Sequence, residues 1–291
     1  MWLVFGGDGQ LGRCLDEVLT RAGIEHLCVG RAVVDITDSA SVLDHVTTVS
    51  PTVVVNAAAW TAVDDAEDHE SAAHRINADG AANVANAASR SGARLIHVST
   101  DYVFDGRATV PYPISATPAP VGAYGRTKLA GEMAVSSAGL DKWHILRTAW
   151  LYSPFGRNFA KTMTVRALRG EPVRVVDDQR GQPTSAFDLA RLMVDIDAAD
   201  ARSGLYHATN GGEATWCEFA RAIYGAIGAD TDLVSPTDTS AYPTKAVRPA
   251  FSVLDHTAFS GSGVAPMRHW RDALSNAIDG IAAQVRAELQ N

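Results

Sequence analysis

The stretch VFGGDGQLGRCL, residues 4–15, joins a short apolar run to an amphipathic segment. Gly6, Gly9 and Gly12 lie in its turn, and Gly7, Gly9 and Gly12 fit the spacing G-x-G-x-x-G. Glycines at this spacing let a strand turn tightly into a helix, and they let a pyrophosphate approach the backbone at the helix N-terminus. Because the loop lies between a predicted strand and a predicted helix, it predicts a dinucleotide-binding site rather than a merely structural turn.

The first half of the chain alternates short β-branched runs with Ala-rich helical segments. Strands are predicted at residues 2–5, 25–30, 52–58, 94–99 and 144–149. Helices are predicted at residues 11–23, at 39–49 with Ser39 as the cap, and at 72–90. Strands that are apolar on both faces are typical of parallel sheets covered by helices. The alternation therefore predicts an α/β fold with a Rossmann-type, doubly wound parallel sheet.

The second half of the chain alternates less regularly. The pattern predicts a strand at residues 172–176 and helices at 158–169, from about 185, and from a cap at Thr215 to 227, with further helices at the C-terminus. We predict an NAD(P)-binding Rossmann domain at residues 1–150. Residues 151–291 are predicted to form mainly a smaller substrate-binding lobe, with segments near 171–210 returning to the first domain.

Composition excludes several classes of function. The net charge of −8, without a basic stripe, disfavours nucleic-acid binding. The three cysteines are too few and too scattered for a disulfide framework or a zinc site, so no metal ligands are predicted. The sequence shows no signal peptide and no apolar run of about 18 residues, which predicts a cytoplasmic protein with no membrane partner.

The end of the second predicted strand indicates which dinucleotide binds. Many folds of this kind carry an acid there that binds the ribose 2′-hydroxyl, whereas this chain has Gly30 and Arg31. A missing carboxylate beside an arginine favours a 2′-phosphate and hence NADPH. Asp35 could still contact the adenosine, so NADH stays an alternative.

Tyr124 and Lys128, four residues apart in AYGRTKLAGE, form a candidate proton-transfer pair. On a helix they would share one face, and a nearby lysine lowers the pKa of a tyrosine. Ser99, Thr100 and Asp101 follow the fourth predicted strand, at the edge of an α/β sheet where ligands bind. A hydroxyl there could hold a substrate carbonyl while Tyr124 protonates it. The structural alternative is an ordinary helix face and a turn that Ser, Thr and Asp favour.

Longer matches point to a family. The sequence resembles the extended short-chain dehydrogenases/reductases and, within them, the dTDP-4-dehydrorhamnose reductases, over nearly its whole length. The matching segments are GGDGQLG, VVVNAAAWTAVDDAE, STDYVFDG, YGRTKLAGE, RTAWLY, NFAKTM, VVDDQRGQPT and RPAFSVLD.

The resemblance implies roles for individual residues. Tyr124 would donate the proton, Lys128 would lower the pKa of Tyr124 and hold the nicotinamide ribose, and Thr100 would hydrogen-bond the keto oxygen. The cofactor-binding residues would be Gly6, Gly9, Gln10, Leu11, Gly12, Arg31, Asp35, Ile36, Ala57, Ala58, Ala59, Tyr124 and Lys128. The residues that bind the dTDP-sugar would be Thr61, Val63, Thr100, Asp101, Tyr102, Trp150 and Arg248.

The chain also departs from related patterns. Sugar-nucleotide dehydratases carry Thr-Asp-Glu at the fourth strand, whereas Tyr102 replaces the glutamate here, so ketoreduction fits better than water elimination. Asp8 places an acid near the phosphates. Some relatives bind Mg²⁺ at a dimer contact, but its ligands cannot be placed in this sequence, so magnesium and a homodimer stay open.

Four functions fit these observations. The first is NADPH-dependent reduction of dTDP-4-dehydro-L-rhamnose to dTDP-L-rhamnose. The second is a paralogous nucleotide-sugar ketoreductase of secondary metabolism, for example one that forms dihydrostreptose. The third is a non-catalytic, dinucleotide-binding regulatory subunit, and the fourth is an NAD-linked epimerase.

Overall fold

A central parallel sheet organises the fold. The computed structural model describes residues 1–290. Its strands are β1 (Trp2–Phe5), β2 (His26–Val29), β3 (Val53–Asn56), β4 (Arg94–Thr100), β5 (Trp143–Thr148), β6 (Leu151–Tyr152), β7 (Val173–Val176), β8 (Arg180–Gly181), β9 (Thr184–Ser185), β10 (Gly204–His207), β11 (Ala214–Thr215) and β12 (Val234–Thr237). The sheet has the order β10-β5-β4-β3-β1-β2, and all its neighbouring strands run parallel. The chain leaves β1 toward β2 on one side and reaches β3 on the other, so the carboxyl end of β1 is the switch point where such sheets bind ligands.

Helices cover both faces of this sheet. They are α1 (Gln10–Arg21), α2 (Ser39–Val49), α3 (Val63–Asp68), α4 (Glu70–His74), α5 (Ala81–Ser91), α6 (Ala123–Ser136), α7 (Phe159–Leu168), α8 (Ala186–Ala198), α9 (Trp216–Ala226) and α10 (Trp270–Gln290). Adjacent strand residues face opposite sides, so that Val4 packs in the core formed with α1 and α8, and Leu3 packs in the core formed with α2, α5 and α6. The predicted doubly wound α/β sheet is confirmed.

Two predicted elements differ from the structure in local detail, and one strand of the sheet is not predicted. The cap of α2 is Asp38 rather than Ser39, because the Asp38 carboxylate accepts the first free backbone N–H groups of the helix. The predicted helix 72–90 is interrupted by a π-helical segment, Arg75–Gly80, in which the buried Asn77 accepts from the Trp60 N–H at 2.8 Å. The edge strand β10 is not predicted, because its sequence GLYH contains no β-branched residue, unlike the apolar runs of the central strands.

A third core holds the smaller lobe together. It packs α7, α9 and α10 around large apolar side chains that include Phe219 and Trp270. Two short ladders, β7 with β12 and β8 with β11, border these helices. Thr215 caps α9 in a capping box with Glu218, as the sequence predicted.

Part of the second half returns to the central sheet. Helix α8 packs against α1, and β10 extends the sheet beside β5, whereas β7 pairs with β12 in the smaller lobe. The division at residue 150 stays a prediction. Within residues 1–290, none of the helices combines the length and the apolar character needed to cross a bilayer.

Candidate active site

One cavity unites nearly all the residues predicted to be functional. It has a volume of about 830 Å³, within the range of small-molecule sites, and lies at the carboxyl ends of β1, β3, β4 and β5. The predicted site residues that line it are Gly6, Gly9, Gln10, Leu11, Arg31, Asp35, Ile36, Ala57, Ala58, Ala59, Thr61, Val63, Thr100, Asp101, Tyr102, Tyr124, Lys128 and Trp150. Gly12 and Arg248 lie outside the lining.

The glycine loop brings backbone rather than side chains to the cavity. Gly6 has φ +86°, and a Cβ there would lie 2.7 Å from the Ala58 nitrogen. A Cβ on Gly12 would lie 2.2 Å from the Gly6 carbonyl oxygen, so Gly12 serves the packing of α1 on the loop. Helix α1 begins at Gln10 without a side-chain cap, which leaves its first N–H groups directed toward the cavity.

Charged side chains surround the outer end of this loop. The exposed Arg31 pairs with Asp35 at 3.1 Å from Nε to Oδ2. Hydrogen bonds from Thr37, and then the charge of Arg31, hold the pKa of Asp35 below its usual value. The Asp8 carboxylate lies over Gly30, where a Cβ would clash with it. The acid in the loop therefore points toward the end of β2.

Thr100 and Tyr124 form the candidate catalytic contact. Thr100 ends β4, donates to the Asp101 carboxylate at 3.0 Å and accepts from the Tyr102 N–H at 3.2 Å. Burial raises the pKa of Tyr124, while the nearby Thr100 hydroxyl lowers it in part and Asp101 and Tyr102 raise it further. The Tyr124 phenol is therefore protonated at neutral pH and holds a proton it could donate, although its raised pKa makes it a weaker acid than a free tyrosine.

Lys128 is almost completely buried, with its ammonium against the backbone of β4. Its ammonium donates to the Val98 carbonyl at 2.6 Å, and only 2% of the residue is exposed. Burial lowers the pKa of Lys128 to about 8, while Glu132 opposes the shift. Lys128 is not among the groups that shift the pKa of Tyr124. The lowering of that pKa by Lys128 therefore stays a prediction.

Asp101 is an acid with a perturbed pKa at the same strand end. Burial raises its pKa to about 6, although Ser252 and Thr100 oppose the shift. Its Oδ2 atom has no hydrogen bond of acceptable geometry, even though Ser252 lies near enough to lower the pKa. A buried carboxyl that is half-ionised near pH 6 is unusual and commonly marks a functional site.

The opposite wall of the cavity is aromatic. Trp150 has a left-handed backbone, with φ +46°, and stacks on Trp216 with ring centroids 3.5 Å apart. Trp216 also packs on Phe159, whose ring centroid lies 4.6 Å away. Sequence reasoning missed Trp216 and Phe159. The cap at Thr215 could have placed Trp216 at the start of a helix, but it carries no signal that the ring faces a ligand.

A polar contact joins the glycine loop to the smaller lobe. The Asn158 side chain donates to Gln10 Oε1 at 2.7 Å and caps α7 through Lys161 N. Gln10 in turn donates to the Leu151 carbonyl at 3.1 Å. Asn158 lines the cavity and was not among the predicted site residues.

Arg248 is held beside the cavity rather than in its wall. Its guanidinium donates to the Asp64 carboxylate at 2.6 Å, next to Val63 at the start of α3. It also lies close enough to Tyr102 to lower the pKa of that phenol, which burial raises to about 12. The structure thus places Arg248 beside Asp64 and Tyr102, outside the lining of the cavity.

A separate cluster on the far side of the glycine loop brings metal-binding atom types together. The ligand atoms of Asp16, His26 and Cys28 lie within 4.8 Å of one another. Burial, and then Asp16, raises the pKa of the Cys28 thiol to about 12, so the thiol is protonated at neutral pH. His26 forms hydrogen bonds with the Ile24 carbonyl and with Asp16. These hydrogen bonds explain why the three side chains lie together.

Comparison with known proteins agrees with this geometry. Residues 1–283 match the family described as RmlD substrate binding domain. A dTDP-4-dehydrorhamnose reductase of Streptomyces griseus is 43% identical, covering 97% of this chain and 94% of the relative. A dTDP-4-keto-6-deoxy-D-glucose reductase of Streptomyces niveus is 44% identical, covering 95% and 96%.

A solved structure extends the likeness to three dimensions. The dTDP-4-dehydrorhamnose reductase of Bacillus anthracis in complex with NADP is 35% identical and has a TM-score of 0.91, covering 96% of this chain and 98% of that one. Sequence and fold agree over almost the full length. This chain therefore belongs to the RmlD family, which includes the dTDP-4-dehydrorhamnose reductases.

Proposed function

We propose that this protein uses NADPH to reduce the C4 keto group of a dTDP-4-dehydro-6-deoxy sugar, converting dTDP-4-dehydro-L-rhamnose to dTDP-L-rhamnose. The observation that carries the proposal is one cavity that combines the glycine loop, the Thr100–Tyr124 contact and Trp150. The names of the Streptomyces griseus and Bacillus anthracis relatives support the same chemistry.

The residues at the glycine loop fit a dinucleotide. Side chains on Gly6 or Gly12 would collide with backbone atoms, so the loop keeps a bare backbone surface beside the free N–H groups of α1. Such a surface suits a pyrophosphate, because oriented N–H groups and the helix dipole both favour negative charge. Arg31 at the outer end supports a 2′-phosphate, although its pairing with Asp35 leaves NADH as the alternative cofactor.

The protein's own residues would manage the proton. Bound NADPH would supply the hydride that reaches C4 of the sugar. Thr100 would orient the keto oxygen, and Tyr124 would donate its phenolic proton to that oxygen as negative charge develops there. With its pKa near 8, Lys128 is mostly protonated at neutral pH, which suits the proposed contact with the nicotinamide ribose.

The aromatic wall would hold the sugar. Trp150 presents a flat apolar surface, which suits the apolar face of a deoxysugar. Thr61 and Val63 line the neighbouring part of the cavity, which supports their proposed contact with the nucleotide-sugar. Arg248 would contact the substrate directly only if its ion pair with Asp64 opened. With the pair closed, it would influence substrate binding through the lining residues Val63 and Tyr102.

A second candidate is a paralogous ketoreductase with another 4-keto sugar as substrate. The 44% identity with the dTDP-4-keto-6-deoxy-D-glucose reductase of Streptomyces niveus favours it as much as the 43% identity with the Streptomyces griseus enzyme favours the first candidate. The two candidates share every residue assigned above. Only the substrate assay separates them.

The same proposal includes a cytoplasmic location, which the biosynthetic activities named for the relatives support. A homodimer and a Mg²⁺ requirement stay open alternatives. Native mass determination tests the homodimer, and turnover after treatment with EDTA tests the metal requirement.

The first experiment follows NADPH oxidation by absorbance with enzymatically made dTDP-4-dehydro-L-rhamnose. Stoichiometric oxidation that yields dTDP-L-rhamnose is the expected result. The matched comparison uses dTDP-4-keto-6-deoxy-D-glucose, and a higher kcat/KM with that sugar would favour the paralogous reductase. NADPH binding without oxidation of either sugar would contradict both and point to a regulatory subunit, while sugar interconversion without net oxidation would indicate an epimerase.

A further inference from the structure

A third polar residue lies on the same helical face as Tyr124 and Lys128. Glu132 follows Lys128 by four residues on α6, as Lys128 follows Tyr124, so the three side chains form a row along the helix. The row starts at the cavity and ends below it, because Glu132 is 5% exposed and lies outside the cavity lining. Glu132 is therefore a buried carboxylate one turn from Lys128.

Two strands hold this carboxylate. The Arg147 guanidinium donates to both carboxylate oxygens, at 2.9 Å from Nε to Oε1 and 2.7 Å from Nη2 to Oε2. The Ser99 hydroxyl donates to Oε1 at 2.5 Å. Glu132 thus ties α6 to β4 and β5 through three hydrogen bonds.

The position of this tie matters because of the strand register. Ser99 on β4 lies opposite Arg147 on β5, and the next pair in the register is Thr100 with Thr148. Both threonines line the cavity. The Glu132 contacts therefore fix the helix that carries Tyr124 immediately below the strand ends that carry Thr100.

The charges around Lys128 give Glu132 a second effect. The Val98 carbonyl that accepts from the ammonium carries no net charge. Several elements that pack around Lys128 carry charged or titratable groups. His97 and Asp101 come from β4 and its end, with Tyr102 next to them, Tyr124 and Glu132 come from α6, and Arg147 comes from β5. Arg126 of α6 and Arg75 and Asp79 of the segment 75–80 are exposed, and the buried polar residue of that segment is the uncharged Asn77.

Of these groups, Glu132 is the one whose charge supports the ammonium. Burial lowers the pKa of Lys128 to about 8, and Glu132 alone is seen to oppose that shift. His97 is held neutral, because burial and Lys128 lower its pKa. Removing the carboxylate would leave two buried cations, Lys128 and Arg147, without an anion between them.

We propose that Glu132 is a positioning residue, which keeps Lys128 charged in its buried site and holds α6 so that Tyr124 meets Thr100. This inference rests on the proposed function, since it assigns Glu132 a role only through Tyr124 and Lys128. A merely structural ion pair would stabilise the fold without affecting the titration of Lys128, and that difference can be measured.

The test is the pH dependence of Glu132→Gln, measured in two ways. NADPH affinity is followed by fluorescence titration, and kcat/KM by NADPH oxidation with the dTDP-4-keto sugar. If Lys128 is needed in its charged form, NADPH affinity and kcat/KM are at their full values below its pKa. Both quantities fall as the pH rises through about 8, and this fall is the alkaline limb of the pH profile. Glu132→Gln should move this alkaline limb down by about one pH unit, because an opposite charge at this range shifts a pKa by about one to three units.

Two matched variants separate charge from packing. Glu132→Asp keeps the carboxylate. It should shift the alkaline limb by no more than about a third of the shift in Glu132→Gln. Asp188→Asn removes another buried carboxylate, which pairs with Arg268 and Asn210 away from Lys128, and should lower stability without moving the limb. If Glu132→Gln does not fold, the double variant Glu132→Gln/Arg147→Met removes both charges. Its alkaline limb should lie between those of Glu132→Gln and the wild type, because loss of the Arg147 cation offsets part of the downward shift.

The outcomes are distinct. A wild-type limb in both Glu132→Gln and the double variant would overturn the inference, even if turnover fell. A downward shift in Asp188→Asn as large as that in Glu132→Gln would also overturn it, because general loosening would then be the cause. If the wild-type protein binds NADPH without turning over a 4-keto sugar, the proposed function fails, and the NADPH titrations still decide the role of Glu132.

Discussion

Trp216 stacks on Trp150 with ring centroids 3.5 Å apart and planes 8° from parallel. Trp150 follows β5 of the central sheet, whereas Trp216 opens α9 of the smaller lobe. The stack therefore joins a cavity residue next to the central sheet to a helix of the smaller lobe. It also holds a non-glycine residue at φ +46°, a backbone conformation that persists only where its surroundings enforce it.

Replacing Trp216 with alanine should weaken sugar binding more than catalysis. An aromatic pair contributes about 0.5 to 1.5 kcal/mol beyond its buried area, so KM for the sugar should rise about two- to tenfold while kcat changes little. Steady-state kinetics with saturating NADPH measure this. Trp216→Phe keeps an aromatic contact and should lie between the alanine variant and the wild type.

Two further readouts make the Trp216 prediction specific. The near-ultraviolet circular dichroism of the stacked rings should disappear in Trp216→Ala, and NADPH affinity should stay at the wild-type value. An unchanged KM together with a lost dichroism signal would show that Trp150 does not contact the sugar.

Removing the Tyr124 hydroxyl should abolish most turnover. General acid catalysis by a positioned side chain typically contributes about 100- to 10,000-fold, so Tyr124→Phe should lower kcat by a factor in that range. NADPH affinity, measured by fluorescence titration, should remain within about twofold, because the ring keeps its edge contact with Tyr102. A wild-type kcat would remove Tyr124 from its proposed role.

The cofactor preference should depend on Arg31. A hydrogen bond to a charged group contributes about 1.5 to 3 kcal/mol, so Arg31→Gln should lower kcat/KM with NADPH about ten- to a hundredfold and leave the value with NADH nearly unchanged. Asp35→Asn is the matched variant, because it frees Arg31 from its carboxylate partner. It should raise the preference for NADPH, and an equal loss with both cofactors in Arg31→Gln would exclude a 2′-phosphate contact.

The buried Asp101 carboxyl should cost stability at neutral pH. Its pKa is about 6 in the folded protein against an ordinary 3.8, so folding favours the protonated form. The contribution of this group to stability is greatest below about pH 4 and declines as the pH rises to about 6. Asp101→Asn removes the ionisation and should stabilise the protein near pH 7.5 by up to about 3 kcal/mol.

Urea unfolding at several pH values checks the Asp101 prediction. The stability difference between Asp101→Asn and the wild type should shrink toward zero as the pH falls from about 6 to about 4. A difference that stays constant with pH would mean that Asp101 is not the titrating group.

Much of the fold was predictable because its signals are local. Apolar runs such as residues 53–56, and the glycine spacing after β1, depend on neighbours close in the chain. The π-helical interruption at Arg75–Gly80 was not predictable, because it follows the buried contacts of Asn77 with Trp60 and Thr127, which lie far away in the sequence. The helical period of the segment does not indicate which distant residues Asn77 contacts.

The candidate site divides in the same way. Motif residues such as Gly6 and Tyr124 could be named in advance, because their spacing is part of the chemistry. Trp216 could not, since a ring at the start of a helix faces the cavity only because β5 brings Trp150 there. The contact of Lys128 with the Val98 carbonyl also depends on the depth of burial, which spacing does not report.

The hydrogen bond between Gln10 and Asn158 has a kinetic consequence. Gln10 is the first residue of α1, whose N–H groups face the proposed phosphate position, and Asn158 caps the helix that opens the smaller lobe. A dinucleotide bound at the glycine loop would therefore order Gln10 and, through Asn158, the aromatic side of the cavity that is proposed to bind the sugar. We expect the two ligands to bind in a compulsory order, NADPH before sugar, and Asn158→Ala to make that order random. Product-inhibition kinetics on both proteins measure the order, and a random order in the wild type would contradict the expectation.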